Sequence, residues 1–187
     1  MNDSVMNDPV MNPTPDHVRR AAAVRLLILD VDGVLTDGSL TYGADGEVTK
    51  TFNVLDGLGI ELLQKTGVLV AIISARKSPV VVRRAADLKI PHVYQGTHDK
   101  RIAFAEVLAL TGLTAGQCGY IGDDVIDLPL LRQVGFAVTV PSGHPEVQHR
   151  AHYVTRANGG RGAVREVCDL VMRAQHTYDA ALAPYFA

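Results

Sequence analysis

Leu26-Leu27-Ile28-Leu29-Asp30-Val31-Asp32-Gly33-Val34-Leu35-Thr36-Asp37 is the stretch on which the fold turns. A short apolar run ends in two carboxylates separated by a single residue, and glycine follows at once. Apolar runs bounded by turn residues read as strands buried on both faces. A strand that stops in Asp-x-Asp-Gly delivers two acids to one edge of a sheet, the edge where open α/β folds place ligands. Packing gives no reason for this, because an unpaired buried carboxylate is expensive. A bound cation removes that cost, and a metal held between acids suggests phosphate chemistry. The same residues also fit a strand followed by an Asx turn in which Asp32 or Asp37 caps backbone. By itself the stretch leaves the two readings level.

Working outward, Ser39 to Asn53 holds two β-rich pieces around Tyr42-Gly43-Ala44-Asp45-Gly46, which predicts a β-hairpin. Leu55, Leu58, Leu62 and Leu63 recur at helical spacing, and Val68 to Ile73 is a second buried strand ending in Ser74-Ala75-Arg76. Pro79 opens a helix running to about Leu88. His92 to Tyr94 is a third strand, and Lys100 begins a helix through Leu110 with Ile102, Ala105, Leu108 and Ala109 as its expected inner face. Cys118 to Ile121 is a fourth strand, which runs into Gly122-Asp123-Asp124-Val125-Ile126-Asp127. A short helix, a strand at Phe136 to Val140, a small helix from Pro145 and an edge strand at Tyr153-Val154 follow. Val164, Val167, Leu170, Val171 and Ala174 mark the apolar stripe of a last helix. Strands alternating with helices over short loops predict an α/β fold: a Rossmann-like parallel sheet covered on both faces, with a hairpin inserted after its first strand.

At 187 residues the chain suits one domain, expected over 21–176. Residues 1–20, rich in Asn, Asp and Pro, read as a disordered lead-in, and 177–187 as a C-terminal tail. A net charge of -2 offers no basic footprint for nucleic acid. No apolar run approaches a membrane span, and the N-terminus lacks the pattern of a secretory signal, so the expected location is the cytoplasm. Cys118 and Cys168 are too few for a disulfide framework and lack metal-ligand spacing.

In a parallel sheet the strand exits face the same way. The first offers Asp30 and Asp32, the second Ser74 and Arg76. The segment after the third offers Lys100, and the fourth offers Asp123 and Asp124 with Asp127 a helical turn on. Singly, each has a plain alternative as a cap, a turn or a solvated charge. Jointly, in this order, they supply what phosphoryl transfer requires. A carboxylate attacks phosphorus only when the phosphate's charge is neutralised, and hard oxygen ligands suit Mg2+. Attack by a carboxylate divides the hydrolysis into two easier steps through an acyl phosphate. A second acid protonates the leaving oxygen and then deprotonates water. A hydroxyl and a lysine hold the oxygens over which charge spreads.

These motifs, Asp30-Val31-Asp32-Gly33-Val34-Leu35-Thr36, Ser74, Lys100 and Gly122 to Asp127, resemble those of haloacid dehalogenase-superfamily phosphatases. A closer resemblance, to the 3-deoxy-D-manno-octulosonate 8-phosphate (KDO 8-phosphate) phosphatase family, rests on further stretches. They are Asp30 to Gly38, Phe52-Asn53-Val54 with Asp56-Gly57, Tyr94-Gln95-Gly96, Tyr153 to Arg156 and Gly159 to Glu166. The resemblance implies Asp30 as nucleophile and Mg2+ ligand, Asp32 as general acid/base and carbonyl ligand, and Asp123 as the third metal contact. It implies Ser74 and Lys100 as phosphate-binding, and Asn53, Val54, Leu55, Asp56, Gly57, Arg76 and Arg84 as substrate contacts. It further implies the absence of a separate cap domain and a homotetramer in which the hairpins associate. In such an assembly the Gly159–Gly162 segment reaches a neighbouring site, so that Arg161 acts there.

Leu55 stands where many family members carry arginine and Glu61 where some do, and Ala75 replaces a common glycine. Arginine is the usual bidentate partner of a carboxylate, so these changes bear on recognition of an acidic sugar. The expected reaction is Mg2+-dependent hydrolysis of KDO 8-phosphate through an aspartyl phosphate, in lipopolysaccharide precursor synthesis. A related nine-carbon keto-deoxy sugar acid phosphate is the alternative within the class. Outside it stand a phosphorylatable receiver-like signalling module and a non-catalytic assembly protein built on the hairpin.

Overall fold

The computed structural model describes residues 15–44 and 46–186. Helix α1 (Asp16–Ala22) leads into strand β1 (Leu26–Leu29), and the hairpin β2 (Thr41–Gly43) and β3 (Gly46–Thr49) follows. Then come α2 (Val54–Lys65), β4 (Leu69–Ser74), α3 (Pro79–Asp87), β5 (His92–Gln95) and α4 (Lys100–Thr111). The chain continues through β6 (Cys118–Ile121), α5 (Leu128–Leu131), β7 (Phe136–Thr139), α6 (Pro145–Gln148) and β8 (Tyr153–Val154). It ends in α7 (Ala163–Ala174) and α8 (Tyr178–Leu182). Six strands form one sheet in the order β5-β4-β1-β6-β7-β8, and every pairing in it is parallel. The hairpin is a separate antiparallel pair with Thr41 opposite Thr49. Among the described residues no helix is long and apolar enough to cross a membrane.

The apolar run of β1 explains its central place. Successive side chains of a strand point to opposite faces. Leu27 and Leu29 accordingly join the layer built by α1, α2, α3 and α7, while Leu26 and Ile28 join the layer built by α4, α5 and α6. All four are fully buried, each contributing about 1.5–3 kcal/mol by leaving water. With β4 on one side and β6 on the other, β1 sits at the switch point where crossovers diverge. The carboxyl ends of these strands open a crevice there.

Three expectations are corrected. The predicted lead-in lies outside the described residues up to residue 14, but from Asp16 the chain is helical. Ala21 is fully buried against the core, and Arg20 donates to the Gly135 carbonyl at 2.9 Å. The expected C-terminal tail instead carries α8, whose Tyr178, Ala181 and Leu182 pack on the main core. Finally, α4 is turned differently from its apolar pattern. Lys100, Ala103, Phe104 and Val107 face inward, while Ile102 is 67% exposed and Ala105 and Ala109 are also exposed. Phe104 and Val107, which are larger than Ala105 and Ala109, enter the core with Leu108 partly buried beside them, and the same rotation brings the Lys100 ammonium to buried carboxylates.

Candidate active site

Asp30 leaves β1 with its backbone N–H bonded to the Ile121 carbonyl at 3.0 Å, and the residue is only 5% exposed. Lys100 is the first residue of α4, capped by the Asp99 carboxylate, which accepts from the Arg101 N–H. Its Nζ stands 2.9 Å from Asp30 Oδ1, 2.6 Å from Asp127 Oδ1 and 3.1 Å from Tyr120 Oη. Asp127 also accepts from Tyr120 Oη at 2.6 Å on Oδ1, and from the N–H groups of Asp123 and Asp124 at 2.9 and 3.1 Å on Oδ2. Both its oxygens are therefore engaged, and Asp127 holds the Asp123 loop against Lys100.

Asp123 lies against Gly33, where φ is +87° and a Cβ would come within 2.0 Å of the Asp123 carboxylate. Only glycine fits there, since it alone combines that backbone with no side chain. One carboxylate oxygen each from Asp30, Asp123 and Asp127 falls within 4.8 Å of the others. Burial first, and then the charge of Asp127, raises the Asp30 carboxyl to about 7 against the opposing pull of Lys100. Burial, followed by the charges of Asp30, Asp127 and Asp124, likewise raises Asp123 to about 7. Burial would lower the Lys100 ammonium, but the carboxylates of Asp30 and Asp127 outweigh it and raise it. Hard oxygen donors such as Asp30 and Asp123, kept partly protonated by burial and by their neighbours' charge, fit a divalent cation, which would take the protons' place.

Ser74 is buried at the end of β4, and its Oγ accepts the Arg76 N–H at 3.3 Å. The Tyr94-Gln95-Gly96 motif holds this loop: Gln95 Oε1 accepts the Ser78 N–H at 2.7 Å, and the Gly96 N–H donates to the Arg76 carbonyl at 3.3 Å. Asp32 has partners distinct from those of Asp30: its Oδ1 is paired with Lys50 Nζ and its Oδ2 lies 3.6 Å from Arg76 Nε. Asp30, Asp32, Ser74, Arg76, Asp123 and Asp124 line one cleft of about 230 Å³. Five predicted groups (Asp30, Asp32, Ser74, Arg76 and Asp123) thus share a single opening, with Lys100 beneath it.

Several predicted substrate contacts lie elsewhere. Asn53 caps α2, its Oδ1 accepting the Leu55 N–H at 2.8 Å. Asp56 is 1% exposed, and its carboxylate accepts the N–H groups of Gly162 at 3.3 Å and Arg165 at 2.8 Å. It therefore caps the start of α7 rather than facing substrate, a role that suits an acid at a helix N-terminus. Asp56→Ala would leave those amides unpaired, and a stability loss of about 1–3 kcal/mol is expected by urea denaturation. Val54 and Leu55 are exposed at 82% and 57%. Gly57 lies under Arg84, which stacks over the Phe52 ring in a neighbouring cleft of about 350 Å³ that holds none of the site carboxylates. The Arg161 side chain is 71% exposed and lies 3.7 Å from Asp37, and the adjacent Gly160 N–H donates to the Val34 carbonyl at 2.9 Å.

Lys50 and Tyr120 were not singled out from the sequence. Tyr120 carried a signal, because a tyrosine in an apolar central strand needs a partner for its hydroxyl. Lys50 carried none, since a lone lysine after a hairpin reads as solvated.

A family model for haloacid dehalogenase-like hydrolases matches residues 88–167. The 3-deoxy-D-manno-octulosonate 8-phosphate phosphatase of Yersinia pestis is 48% identical over 182 residues, 97% of this chain and 97% of its own length. Its namesake from Escherichia coli (strain K12) is 49% identical over 166 residues, 89% of this chain and 88% of its own. The crystal structure of the Moraxella catarrhalis phosphatase of the same name was solved in complex with a magnesium ion, a phosphate ion and a KDO molecule. It matches at a TM-score of 0.89 and 41% identity, covering 92% of this chain and 99% of that one.

Proposed function

Because the chain belongs to the 3-deoxy-D-manno-octulosonate 8-phosphate phosphatases, we propose that it hydrolyses that ester to KDO and inorganic phosphate. The observation that carries this reading is the Asp30–Lys100–Asp123 cluster at the end of β1, opening with Asp32 and Ser74 into one cleft. The carboxylates of Asp30 and Asp123 with the Asp32 carbonyl would hold Mg2+. The ion, when bound, neutralises the phosphate and polarises its oxygens. Asp30 attacks phosphorus, the bond from phosphorus to the sugar oxygen breaks, and Asp32 gives that oxygen its proton. Water then attacks the aspartyl phosphate, Asp32 takes the proton, and the bond from phosphorus to Asp30 breaks to release phosphate. Ser74 and Lys100 hold the phosphoryl oxygens while charge spreads over them. Arg76, which lines the cleft, is the substrate contact favoured by its position, while Val54, Leu55, Arg84 and Arg161 lie outside that lining and would reach only the far end of the sugar.

The product serves lipopolysaccharide precursor synthesis in the cytoplasm, and the working assembly is a homotetramer joined through the hairpins. A solution mass of one chain at working concentration would count against the tetramer. The nine-carbon acid phosphate is the rival on a specific ground: Leu55 is exposed and Glu61 lies exposed on the same helix, where arginines would add positive charge. Values of kcat/KM across eight- and nine-carbon keto-acid phosphates decide between them, with the eight-carbon ester expected to lead. Preference for simple sugar phosphates over both acids would overturn the proposal.

Metal and proton compete at this site, which sets a pH dependence. Asp30 and Asp123 are raised to about 7 in the folded, metal-free protein, above their ordinary 3.8. The folded state then holds more protons than the unfolded one, so its stability is lost as pH rises from about 4 through about 7. Mg2+ must displace those protons, so its affinity rises over the same interval. Thermal melts in EDTA and in Mg2+ from pH 5 to pH 8 (about the range His and such carboxyls titrate) are expected to diverge as pH increases. Parallel curves would remove Asp30 and Asp123 as the ligands.

A further inference from the structure

We propose that Lys50 is a positioning residue for the proton-transfer carboxylate of Asp32, tying it to the inserted hairpin. Lys50 directly follows β3, and its side chain is 1% exposed with Nζ on Asp32 Oδ1. The other hairpin strand reaches the same carboxylate less directly. Tyr42 Oη on β2 accepts from Arg76 at 3.0 Å, and Arg76 Nε lies 3.6 Å from Asp32 Oδ2. The two links are unequal. The Arg76 side chain is 41% exposed and Tyr42 60%, so that arm stays open to solvent and to an acidic substrate. Lys50 is enclosed. Burying an ammonium is costly unless a partner repays it, and neither solvation nor packing accounts for a lysine at this point of a hairpin.

This inference rests on the proton-transfer role proposed for Asp32. A general acid acts only within hydrogen-bond reach of the atom it serves, about 2.6–3.2 Å. Asp32 sits on the loop after β1 and no backbone N–H holds its carboxylate among the bonds of the described residues, so Lys50 supplies the orientation. When the bond from phosphorus to a sugar oxygen breaks, the leaving alkoxide needs the proton of Asp32. When the leaving group is p-nitrophenolate, the bond breaks without it.

The test compares kcat/KM, which reports formation of the aspartyl phosphate, for Lys50→Met on KDO 8-phosphate and on p-nitrophenyl phosphate. General acid–base catalysis is worth about 10²–10⁴-fold. The expected result is a loss of at least about 10-fold on the sugar ester relative to the aryl ester. Equal losses on both esters, or no loss on either, overturn the proposal, because a merely structural or metal-site role affects both alike. Should Lys50→Met not fold, Lys50→Leu, which also lacks a donor, gives the same ratio. If the wild-type enzyme rejects sugar-acid phosphates, the function reading fails, but any alkyl phosphate that it hydrolyses replaces that arm and judges Lys50 separately.

Discussion

Asp30→Asn is expected to abolish phosphate release, by at least about 10⁴-fold in kcat, while the protein stays folded. The amide keeps the shape of the carboxylate but is not a nucleophile, and it replaces an anionic donor of the metal site with a neutral one. Stability should not suffer. Asp30 is raised to about 7, first by burial and next by the charge of Asp127, so its ionised form is disfavoured in the folded chain. Lys100 keeps its other carboxylate partner, Asp127, at 2.6 Å. In EDTA at pH 8, roughly a unit above that titration, the variant is expected to melt at or above the wild-type temperature. It should also form no phosphoenzyme on acid quench. Turnover at the wild-type rate would remove Asp30 from the nucleophile's role, and collapse of the fold would mean that its charge is structural.

Lys100→Met is expected to lose both activity and stability, because one ammonium serves two purposes. Its side chain is fully buried between Asp30 and Asp127. Removing one partner of a buried ion cluster leaves the others uncompensated, at about 3–5 kcal/mol. In a domain of this size that corresponds to a fall in Tm of about 10 °C. The sign with pH follows from the carboxylates. Asp30, raised to about 7 first by burial, escapes the cost by binding a proton, so the deficit is expected to shrink as pH falls from 8 towards 6, roughly across that titration. Activity should drop by about 10²–10³-fold or more, the scale for losing one group that stabilises transition-state charge. An unchanged Tm with a flat pH response would show that Tyr120 and the loop amides satisfy Asp127 without the lysine.

The opening stretch determined more than any other. Four apolar residues followed by Asp-x-Asp-Gly forced a strand buried on both faces with two acids at its exit, since only a central parallel strand hides every side chain. The order of strand exits then determined that Asp30, Ser74, Lys100 and Asp123 converge, because parallel strands share a direction. What the sequence left undecided was direction at the level of single side chains. It put Ile102, Ala105 and Ala109 on the inner face of α4 beside Leu108, whereas Phe104 and Val107 turn inward with Lys100, whose ammonium meets the buried carboxylates there. It grouped Asp56 with the substrate contacts, although the backbone N–H groups that bind its carboxylate come from α7, more than a hundred residues further along the chain. It gave no reason to notice Lys50, because the partner that makes a buried lysine tolerable, Asp32, is met only when the hairpin folds back over the site. Local pattern marked the strands and the helices between them, though not α1 or α8 at the two ends; which of several equivalent polar groups turns inward is settled by the charge it meets, and that meeting exists only in the folded chain.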